Sequence, residues 1–230
     1  MCKKDKAPEP TPVSGSLHLK FNHNFNGTAF ELNKEYTDDF GNKFTFTRAS
    51  MYLSKPQLKN SSGNNLQVSN QHYLVHSNTE TQYMGHLNPT TIIETTINIG
   101  LDAEANNSSP AKYDTDHPLA YQSPSMYWGT SLDYLFVVLE GRVDTDGDGT
   151  LDEGYTFHFG TDAYLNTISK GGLSIAIESE KSAYLSVNIN YAKFFEGINL
   201  SVDNKMHTSP DEVPLTEKFS KNVPKAVSFE

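Results

Sequence analysis

Cysteine is almost absent from the sequence, since Cys2 is the only one among 230 residues. A single cysteine excludes a disulfide framework within the chain, so a domain of this length must be stabilised by its core. Long apolar runs are missing too, because none reaches the roughly 18 residues of a membrane span. Acidic residues outnumber basic ones, 28 to 18, and give a formal net charge of −10. With no basic stripe to oppose that charge, the composition argues against nucleic-acid binding.

The sequence signatures of common enzyme classes are also missing. The chain has neither a Gly-x-Ser-x-Gly elbow nor a phosphate-binding glycine loop, and its lone cysteine lies at the N-terminus. Carboxylates are paired only in one acidic loop, where a bound cation explains them better than hydrolytic chemistry does. We therefore predict a binding protein and not an enzyme.

The N-terminal segment, residues 1–12, is polar and rich in proline. It resembles the start of a mature bacterial lipoprotein, in which Cys2 would carry the lipid and residues 1–15 would form an extended tether. This predicts a protein of the periplasm, the outer membrane or the cell surface that touches the membrane only through its lipid anchor. The alternative is an ordinary disordered N-terminus with a stray cysteine.

Most of the remaining sequence alternates between polar and apolar residues or is rich in β-branched ones. In residues 16–23, three apolar side chains and His23 share one face of a strand. Residues 90–100 are largely β-branched, which favours another strand. About ten such strands, without a sustained 3.6-residue period, predict an all-β fold. We expect an antiparallel β-sandwich with long loops and a C-terminal arm, forming a single domain over residues 16–230.

Three shorter segments carry more local predictions. Residues 101–107 predict one helical turn capped by Asp102, and residues 214–222 predict a short helix in the C-terminal arm. Residues 108–124 are rich in Pro, Ser, Tyr and Asp. We expect them to form a long surface loop, because they are too polar to pack deeply.

Residues 126–141 predict the centre of the fold. They contain Trp128, the only tryptophan in the chain, and the longest apolar run, residues 132–139. That run is interrupted only by Asp133 and the Tyr134 hydroxyl, and a Glu-Gly pair follows it. Such a sequence is typical of a strand that is buried on both faces.

An acidic loop follows this predicted strand. Its aspartates and glycines match the first, third, fifth and sixth positions of an EF-hand-type pattern. Alternate carboxylates on such a loop converge on one hard cation, and the glycine permits the sharp bend. Tyr155 replaces the usual bidentate glutamate, so other residues or water must complete the shell; the alternative is a solvated acidic turn. The predicted ligands of a structural calcium ion are Asp144, Asp146, Asp148, Thr150, Asp152 and Glu153.

Eight histidines offer nitrogen ligands for a softer metal, but none has zinc-finger or helical His-Glu-x-x-His spacing. His23 stands out because it ends an apolar stripe, and His158 because it lies on the polar face of a predicted strand. Two histidines on adjacent strands could donate imidazoles to copper or zinc. The alternative for each is a hydrogen-bonded core or rim histidine. Further pairs in the sequence are His72 with His76, Met84 with His86, and Met206 with His207.

Short motifs along residues 16–200 resemble, in their order, the MbnP-like family of bacterial extracytoplasmic, methanobactin-associated proteins. The segment around the tryptophan is the most specific of them. The motifs are Leu-x-Phe-x-His at 19–23, Phe-x-Phe-x-Arg at 44–48 with Met-Tyr-Leu-Ser at 51–54, Ile-Asn-Ile-Gly-Leu-Asp at 97–102, Met-Tyr-Trp-Gly at 126–129, Leu-Glu-Gly at 139–141 and Phe-His-Phe-Gly at 157–160.

This resemblance implies a β-sandwich associated with copper. Some members of the family bind copper through histidines together with a tryptophan that a partner dihaem enzyme of the peroxidase type oxidises to kynurenine. Carried over by position, this implies His23 and His158 as copper ligands, with Trp128 beside them as the oxidised or site-adjacent residue. The chain departs from the family at Thr130, where a second tryptophan is often found. If that second tryptophan is the oxidised one, this chain lacks it.

These features together predict an extracytoplasmic, lipid-anchored protein that binds copper and is stabilised by a calcium loop. The alternative is a calcium-stabilised cell-surface module that has no copper site. Such a module would recognise a ligand or another protein through residues 108–124.

Overall fold

The computed structural model describes residues 13–129 and 133–230. Cys2 and Thr130 lie outside the described residues, and none of the described helices is both long and apolar enough to cross a membrane. The elements are β1 (Gly15–Phe25), β2 (Thr28–Ala29), β3 (Glu35–Thr37), β4 (Lys43–Asn60), β5 (Asn65–Leu66), β6 (His72–His76), β7 (Thr81–Leu87), β8 (Thr90–Ile99), α1 (Ala103–Asn106), β9 (Tyr127–Gly129), β10 (Asp133–Val143), β11 (Glu153–Gly160), β12 (Asn166–Ile177), β13 (Ser182–Asn190), α2 (Tyr191–Phe194), β14 (Lys205–Met206), α3 (Val213–Ala226) and β15 (Val227–Phe229).

The strands form two sheets. The smaller has the order β15-β13-β1-β2, with β7 also paired to β1. The larger has the order β12-β8-β4-β10-β11-β14, with β3, β5 and β6 also paired to β4 and β9 to β10. Buried residues of both sheets belong to one hydrophobic cluster, so the core lies between them. The predicted all-β sandwich is confirmed.

Two strand pairs depart from the predicted antiparallel arrangement. β1 runs parallel to β13, and β11 runs parallel to β14. Parallel neighbours need a long crossover, which the intervening elements supply in both cases. The sequence pattern does not reveal this, because side chains alternate in the same way in both kinds of strand. The second parallel pair brings the C-terminal part of the chain to the edge of the larger sheet.

The central strand of the larger sheet is β10, as its apolar sequence predicts. Residues 135–139 have no exposed surface, and β4 and β11 pair with β10 on its two sides. Its outer face is covered by the chain that precedes β9. The Tyr134 hydroxyl donates a hydrogen bond to the backbone carbonyl of Leu119. This contact fastens the cover to the strand.

The segment 108–124 packs more deeply than its polar composition predicts. Leu119 is fully buried, and the Tyr52 hydroxyl donates to the carbonyl of Pro118 at 3.0 Å. Tyrosine hydroxyls thus satisfy backbone groups of the loop that water would otherwise bind. The prediction of a loosely packed surface loop is wrong for this part of the segment.

Both predicted helical segments are present. The Asp102 carboxylate caps α1 by accepting from the Ala105 N–H at 2.9 Å. The predicted C-terminal helix is α3, which is longer than expected at both ends. It is fixed to the end of α2 by Asn222, whose side-chain amide donates to the carbonyls of Phe194 at 3.1 Å and Glu196 at 2.9 Å.

Gly141 allows the closest packing around β10. A Cβ atom at this position would meet the Thr45 carbonyl oxygen and lie 2.6 Å from Cε1 of Tyr155. Tyr155 is the residue opposite Gly141 on β11, and its fully buried ring fills the space above the glycine. Position 141 is therefore a glycine because no side chain fits between these neighbours.

We expect Gly141→Ala to lower the free energy of unfolding by at least about 1–3 kcal/mol, the usual cost of overpacking a core. Urea denaturation of both proteins measures the change. The matched control is Gly171→Ala on β12, where an added Cβ meets nothing within 4 Å. If the two variants unfold at the same urea concentration, the close packing at Gly141 is not what requires a glycine there.

Candidate metal sites

Strand register places three polar side chains together on the outer face of the larger sheet. Glu140 on β10 lies opposite Arg48 on β4. His158 on β11 lies opposite Val138, two residues before Glu140 on the same strand. Alternate residues of a strand face the same side, so Val138 and Glu140 project together with the residues paired to them. The register therefore brings the His158 imidazole to the Glu140 carboxylate.

Glu140 binds both of these neighbours. His158 Nε2 donates to Glu140 Oε1 at 2.8 Å, and Arg48 Nη1 donates to the same oxygen at 3.2 Å. The hydrogen bond from His158, assisted by the charge of Arg48, holds the pKa of Glu140 below its ordinary value of 4.5 although burial acts in the opposite direction. Glu140 is therefore ionised at neutral pH.

The second ring nitrogen of His158 has no such partner. A carboxylate only accepts hydrogen bonds, so Nε2 carries a hydrogen, and Nδ1 is the nitrogen that can offer a lone pair to a metal. Nδ1 is buried and without a hydrogen-bond partner among the described residues. A buried polar atom in that state costs about 1–3 kcal/mol. Metal-ligating histidines have this arrangement, with one nitrogen oriented by a carboxylate and the other free to bind.

Two further rings surround His158. The Trp128 ring is nearly perpendicular to it, at 86°, with the centroids 4.8 Å apart, and the centroid of the His207 ring lies 5.3 Å away. Trp128 also stacks on His207, with their centroids 5.4 Å apart and their planes inclined by 19°. His158 is 9% exposed and Trp128 is 42% exposed, so the indole forms the outer side of the cluster.

Backbone pairing explains why the three rings meet. The parallel pair of β11 and β14 aligns Phe157 with Met206, so the next residues, His158 and His207, come side by side. The Thr208 hydroxyl then donates to the His158 carbonyl at 3.0 Å and fixes this part of the chain. β9 pairs with the start of β10, which places Trp128 at the entry to that strand.

The two ring nitrogens of His207 make only long, weak polar contacts. Its Nδ1 lies 3.5 Å from Glu212 Oε1, and its Nε2 lies 3.4 Å from the Thr156 hydroxyl. The other oxygen of Glu212 accepts from the backbone N–H of His207 at 2.7 Å, which holds the carboxylate beside the ring. At these distances neither ring nitrogen makes a strong hydrogen bond, so one of them can bind a metal.

The structure does not bring the predicted pair His23 and His158 together. His23 lies on β1 of the smaller sheet, where Nε2 is 2.8 Å from the carbonyl oxygen of Thr79 and Nδ1 is 2.9 Å from the hydroxyl of Tyr191. A carbonyl only accepts, so Nε2 carries the hydrogen and Nδ1 accepts from Tyr191. Burial lowers the pKa of His23 and favours this neutral form. Both nitrogens are occupied, so His23 has the arrangement of a hydrogen-bonded core histidine.

The acidic loop brings three of its predicted calcium ligands together. Asp144, Asp146 and Asp148 each offer a carboxylate oxygen, and these oxygens lie within 4.8 Å of one another. The Asp144 carboxylate accepts from the backbone N–H of Gly147 at 2.7 Å and of Gly149 at 2.9 Å. The backbone angle φ is +80° at Gly147 and +91° at Gly149, values that other residues rarely adopt. The glycines therefore permit the turn that gathers the carboxylates.

The remaining predicted calcium ligands lie outside this group of carboxylates. Asp152 and Glu153 do not belong to it, and Glu153 pairs with Lys205 at 3.2 Å. Thr150 is exposed, and its backbone N–H donates to Asp148 at 2.7 Å. Arg142 fixes the exit of the loop by donating to the carbonyls of residues 151 and 152 at 2.7 and 2.8 Å.

A pocket of about 680 Å³ opens beside the histidine cluster. Arg48 and Glu140 form part of its wall, Phe30 and Leu32 add apolar surface, and the predicted recognition segment contributes Pro124. Glu140 therefore borders both the pocket and the imidazole of His158.

The sequence indicates His158 and Trp128 as candidates, but it does not indicate Glu140 and His207, the side chains that contact them in the structure. In the sequence, Met206 and His207 stand out only as neighbouring residues that could each bind a metal, and nothing indicates that they lie beside His158. In the sequence, Glu140 indicates only the end of a buried strand. Its position in the sequence predicts a contact with His158 only once the register of the β10–β11 hairpin is known.

Comparison with known proteins identifies the family. A sequence model of the MbnP family matches residues 14–209. Among solved structures, MbnP from Methylosinus trichosporium superimposes with a TM-score of 0.50 at 12% identity, covering 80% of this chain and 77% of that one. At this identity the likeness concerns the fold, and no curated protein matches the sequence. Because the matched range spans most of the sequence, this chain belongs to the MbnP family.

Proposed function

We propose that this protein is a non-catalytic, extracytoplasmic metal-binding protein that holds one copper ion between His158 and His207. The observation that carries the proposal is the buried, unpartnered Nδ1 of His158. Glu140 fixes the opposite nitrogen of the same ring, so the lone pair is already oriented. A bound metal would satisfy this buried nitrogen, which has no hydrogen-bond partner among the residues that the structure describes.

The spacing of the two imidazoles fits a shared ion. An imidazole nitrogen binds a metal at about 2.0–2.1 Å, which puts the ring centroid about 3.2 Å from the ion. Two rings on one ion therefore have centroids at most about 6.4 Å apart. The centroids of His158 and His207 are 5.3 Å apart. Neutral imidazole suits copper, and copper binding is also what the family resemblance implies.

Calcium at the acidic loop is the second part of the proposal. Three aspartate oxygens within 4.8 Å repel one another unless a cation lies between them. A calcium ion there would stabilise the β10–β11 hairpin, because the folded loop presents the ligands together and the unfolded chain does not. Water or Thr150 would complete the shell.

The cellular setting of the proposal rests on the sequence. A lipid on Cys2 would anchor the protein at the periplasmic or outer face of a membrane. A dihaem peroxidase-like enzyme would be the partner if Trp128 is oxidised. Recognition of another ligand through residues 108–124, without copper, remains the competing function, and the pocket beside Glu140 is the place where a small ligand would fit.

We expect the wild-type protein to bind one equivalent of copper in equilibrium dialysis and the double variant His158→Ala, His207→Ala to lose that equivalent. The physical reason is that both imidazoles are required as donors. His86→Ala, which removes an exposed histidine of β7, is the matched control and should bind as the wild type does. His23→Ala should also keep its copper. Full binding by the double variant would refute the assignment.

Glu140 should stabilise the fold in a pH-dependent way. Its pKa is lower in the folded protein than the ordinary 4.5, so its contribution is present above that value and is lost as the pH falls through the lower, native pKa. We expect Glu140→Gln to cost about 1–3 kcal/mol at neutral pH, and the difference from the wild type to shrink below about pH 4. Urea denaturation across this range measures it. A constant difference, or one no larger than that of the exposed control Glu94→Gln, would contradict the prediction.

Calcium should raise the melting temperature of the wild-type protein. At a calcium concentration about 100 times the dissociation constant, the expected stabilisation is about 2.7 kcal/mol. The double variant Asp144→Asn, Asp148→Asn should show no such shift, whereas Asp211→Asn, an exposed aspartate outside the loop, should respond as the wild type does. Calorimetry that finds neither heat of binding nor a shift in melting temperature would exclude the calcium site.

A further inference from the structure

A second imidazole with an unpaired nitrogen lies under the covering segment, residues 108–124. His72 on β6 pairs with Ser54 of β4, two residues after Tyr52, whose hydroxyl binds the covering segment at the carbonyl of Pro118. The ring centroid of His72 lies 5.9 Å from that of His117, which belongs to the segment. Nε2 of His72 is buried and has no hydrogen-bond partner among residues 13–129 and 133–230. His72 is therefore a polar group that the covering segment shuts away from water.

The charged groups around His72 do not stabilise a proton on its ring. Lys55 of β4 and His117 of the covering segment both oppose protonation, and Asp102 is the carboxylate that favours it. The oxygens of Asp102 are already engaged, since Oδ1 accepts from the Ala105 N–H at 2.9 Å and Oδ2 lies 3.2 Å from the Lys55 ammonium. Burial, with help from Lys55, lowers the pKa of His72 to about 4. The ring is therefore neutral while the segment covers it.

His117 is held in a neutral form by a contact within the covering segment itself. Its Nδ1 accepts a hydrogen bond from the backbone N–H of Leu119 at 3.1 Å, and its ring stacks on Tyr113 with the centroids 4.4 Å apart. Asp114 favours protonation of His117, but burial outweighs it and lowers the pKa. An imidazolium has no lone pair, so protonation of Nδ1 breaks the bond to Leu119. Leu119 is fully buried and its carbonyl accepts from Tyr134, so the bond is lost where the segment inserts most deeply.

We propose that residues 108–124 form an acid-released cover, in which protonation of His72 and His117 detaches the segment from β4 and β6 while both sheets stay folded. Release gives both imidazoles access to water and frees the hydroxyls of Tyr52 and Tyr134 from the carbonyls of residues 118 and 119. Those hydroxyls and the apolar rings that carry them become available to other partners in the open form alone. The inference does not depend on the proposed metal sites.

The direction of the pH effect follows from the neutral state of the two rings. In the open form His72 regains its ordinary pKa of 6.5, whereas in the closed form its pKa is about 4. The neutral ring therefore stabilises the closed form fully above pH 6.5, and this contribution is lost as the pH falls from 6.5 towards 4. For His72 alone, the equilibrium constant for opening rises by at most about 30-fold at pH 5.

The test is amide hydrogen exchange followed by mass spectrometry between pH 7.5 and pH 4.5, corrected for the intrinsic pH dependence of exchange. Peptides that contain Leu119 should lose protection by up to about 30-fold at pH 5, whereas peptides from β8 should keep theirs. Protection of residues 108–124 that does not change with pH would overturn the proposal. An equal loss in β8 would also overturn it, because the whole domain would then be unfolding.

The decisive variant is His72→Leu, His117→Asn. Neither new side chain titrates, and the asparagine can offer its side-chain oxygen to the Leu119 N–H in place of Nδ1. Exchange of the covering segment should then be independent of pH in this range. His86→Leu, at an exposed histidine of β7 in the other sheet, is the control and should open as the wild type does. Opening of the double variant at the same pH as the wild type would refute the role of the two histidines.

Thermal melts at pH 7.5 establish that each variant is folded. If leucine at position 72 prevents folding, His72→Gln takes its place, since it keeps a neutral polar side chain that does not titrate. This variant should show a smaller dependence of exchange on pH than the wild type, by the share that His72 contributes. An unchanged dependence would exclude His72 from the mechanism.

Discussion

The burial of β10 on both faces is the constraint on which the rest of the structure depends. A strand whose side chains at 135–139 are all inaccessible needs a sheet against one face and a second layer over the other. The smaller sheet provides the first through the shared core. The segment that precedes β9 provides the second, fastened by the hydroxyls of Tyr52 and Tyr134. The same covering chain ends in Trp128, so the packing of the fold and the position of the indole have one cause.

Polar groups on the outer face of β10 are satisfied by one another, with one exception. Arg48 and His158 both donate to Glu140, and Arg48 Nη2 also donates to the carbonyl of Ser125 at 2.8 Å. Burying a charge without such partners is costly, which is why the carboxylate is bound on two sides. The Nδ1 atom of His158 is the member of this network that stays unpaired. It marks the functional candidate because the opposite nitrogen of the same ring is held by Glu140.

Local features of the fold could be predicted from the sequence, whereas features that depend on distant pairing could not. The buried strand β10, the Asp102 cap and the gathering of three aspartates each depend on a few consecutive residues. His207 could not be assigned to the site, because its place beside His158 follows from a parallel pairing that leaves no trace in the alternation of side chains. His23 was correctly placed at the end of an apolar stripe. Its satisfying partner, Tyr191, is 168 residues away and was not foreseeable.

The parallel pairing of β11 with β14 has a consequence for when the histidine cluster exists. Its two imidazoles come from strands linked by a long crossover, and the Thr208–His158 hydrogen bond that fixes them spans 50 residues. Contacts of such separation form slowly, because closing the intervening chain costs conformational entropy before the contact stabilises the fold. A nascent or partly folded chain therefore has isolated histidines but no paired site. Capture of a metal ion by both imidazoles would therefore require that the C-terminal segment has docked.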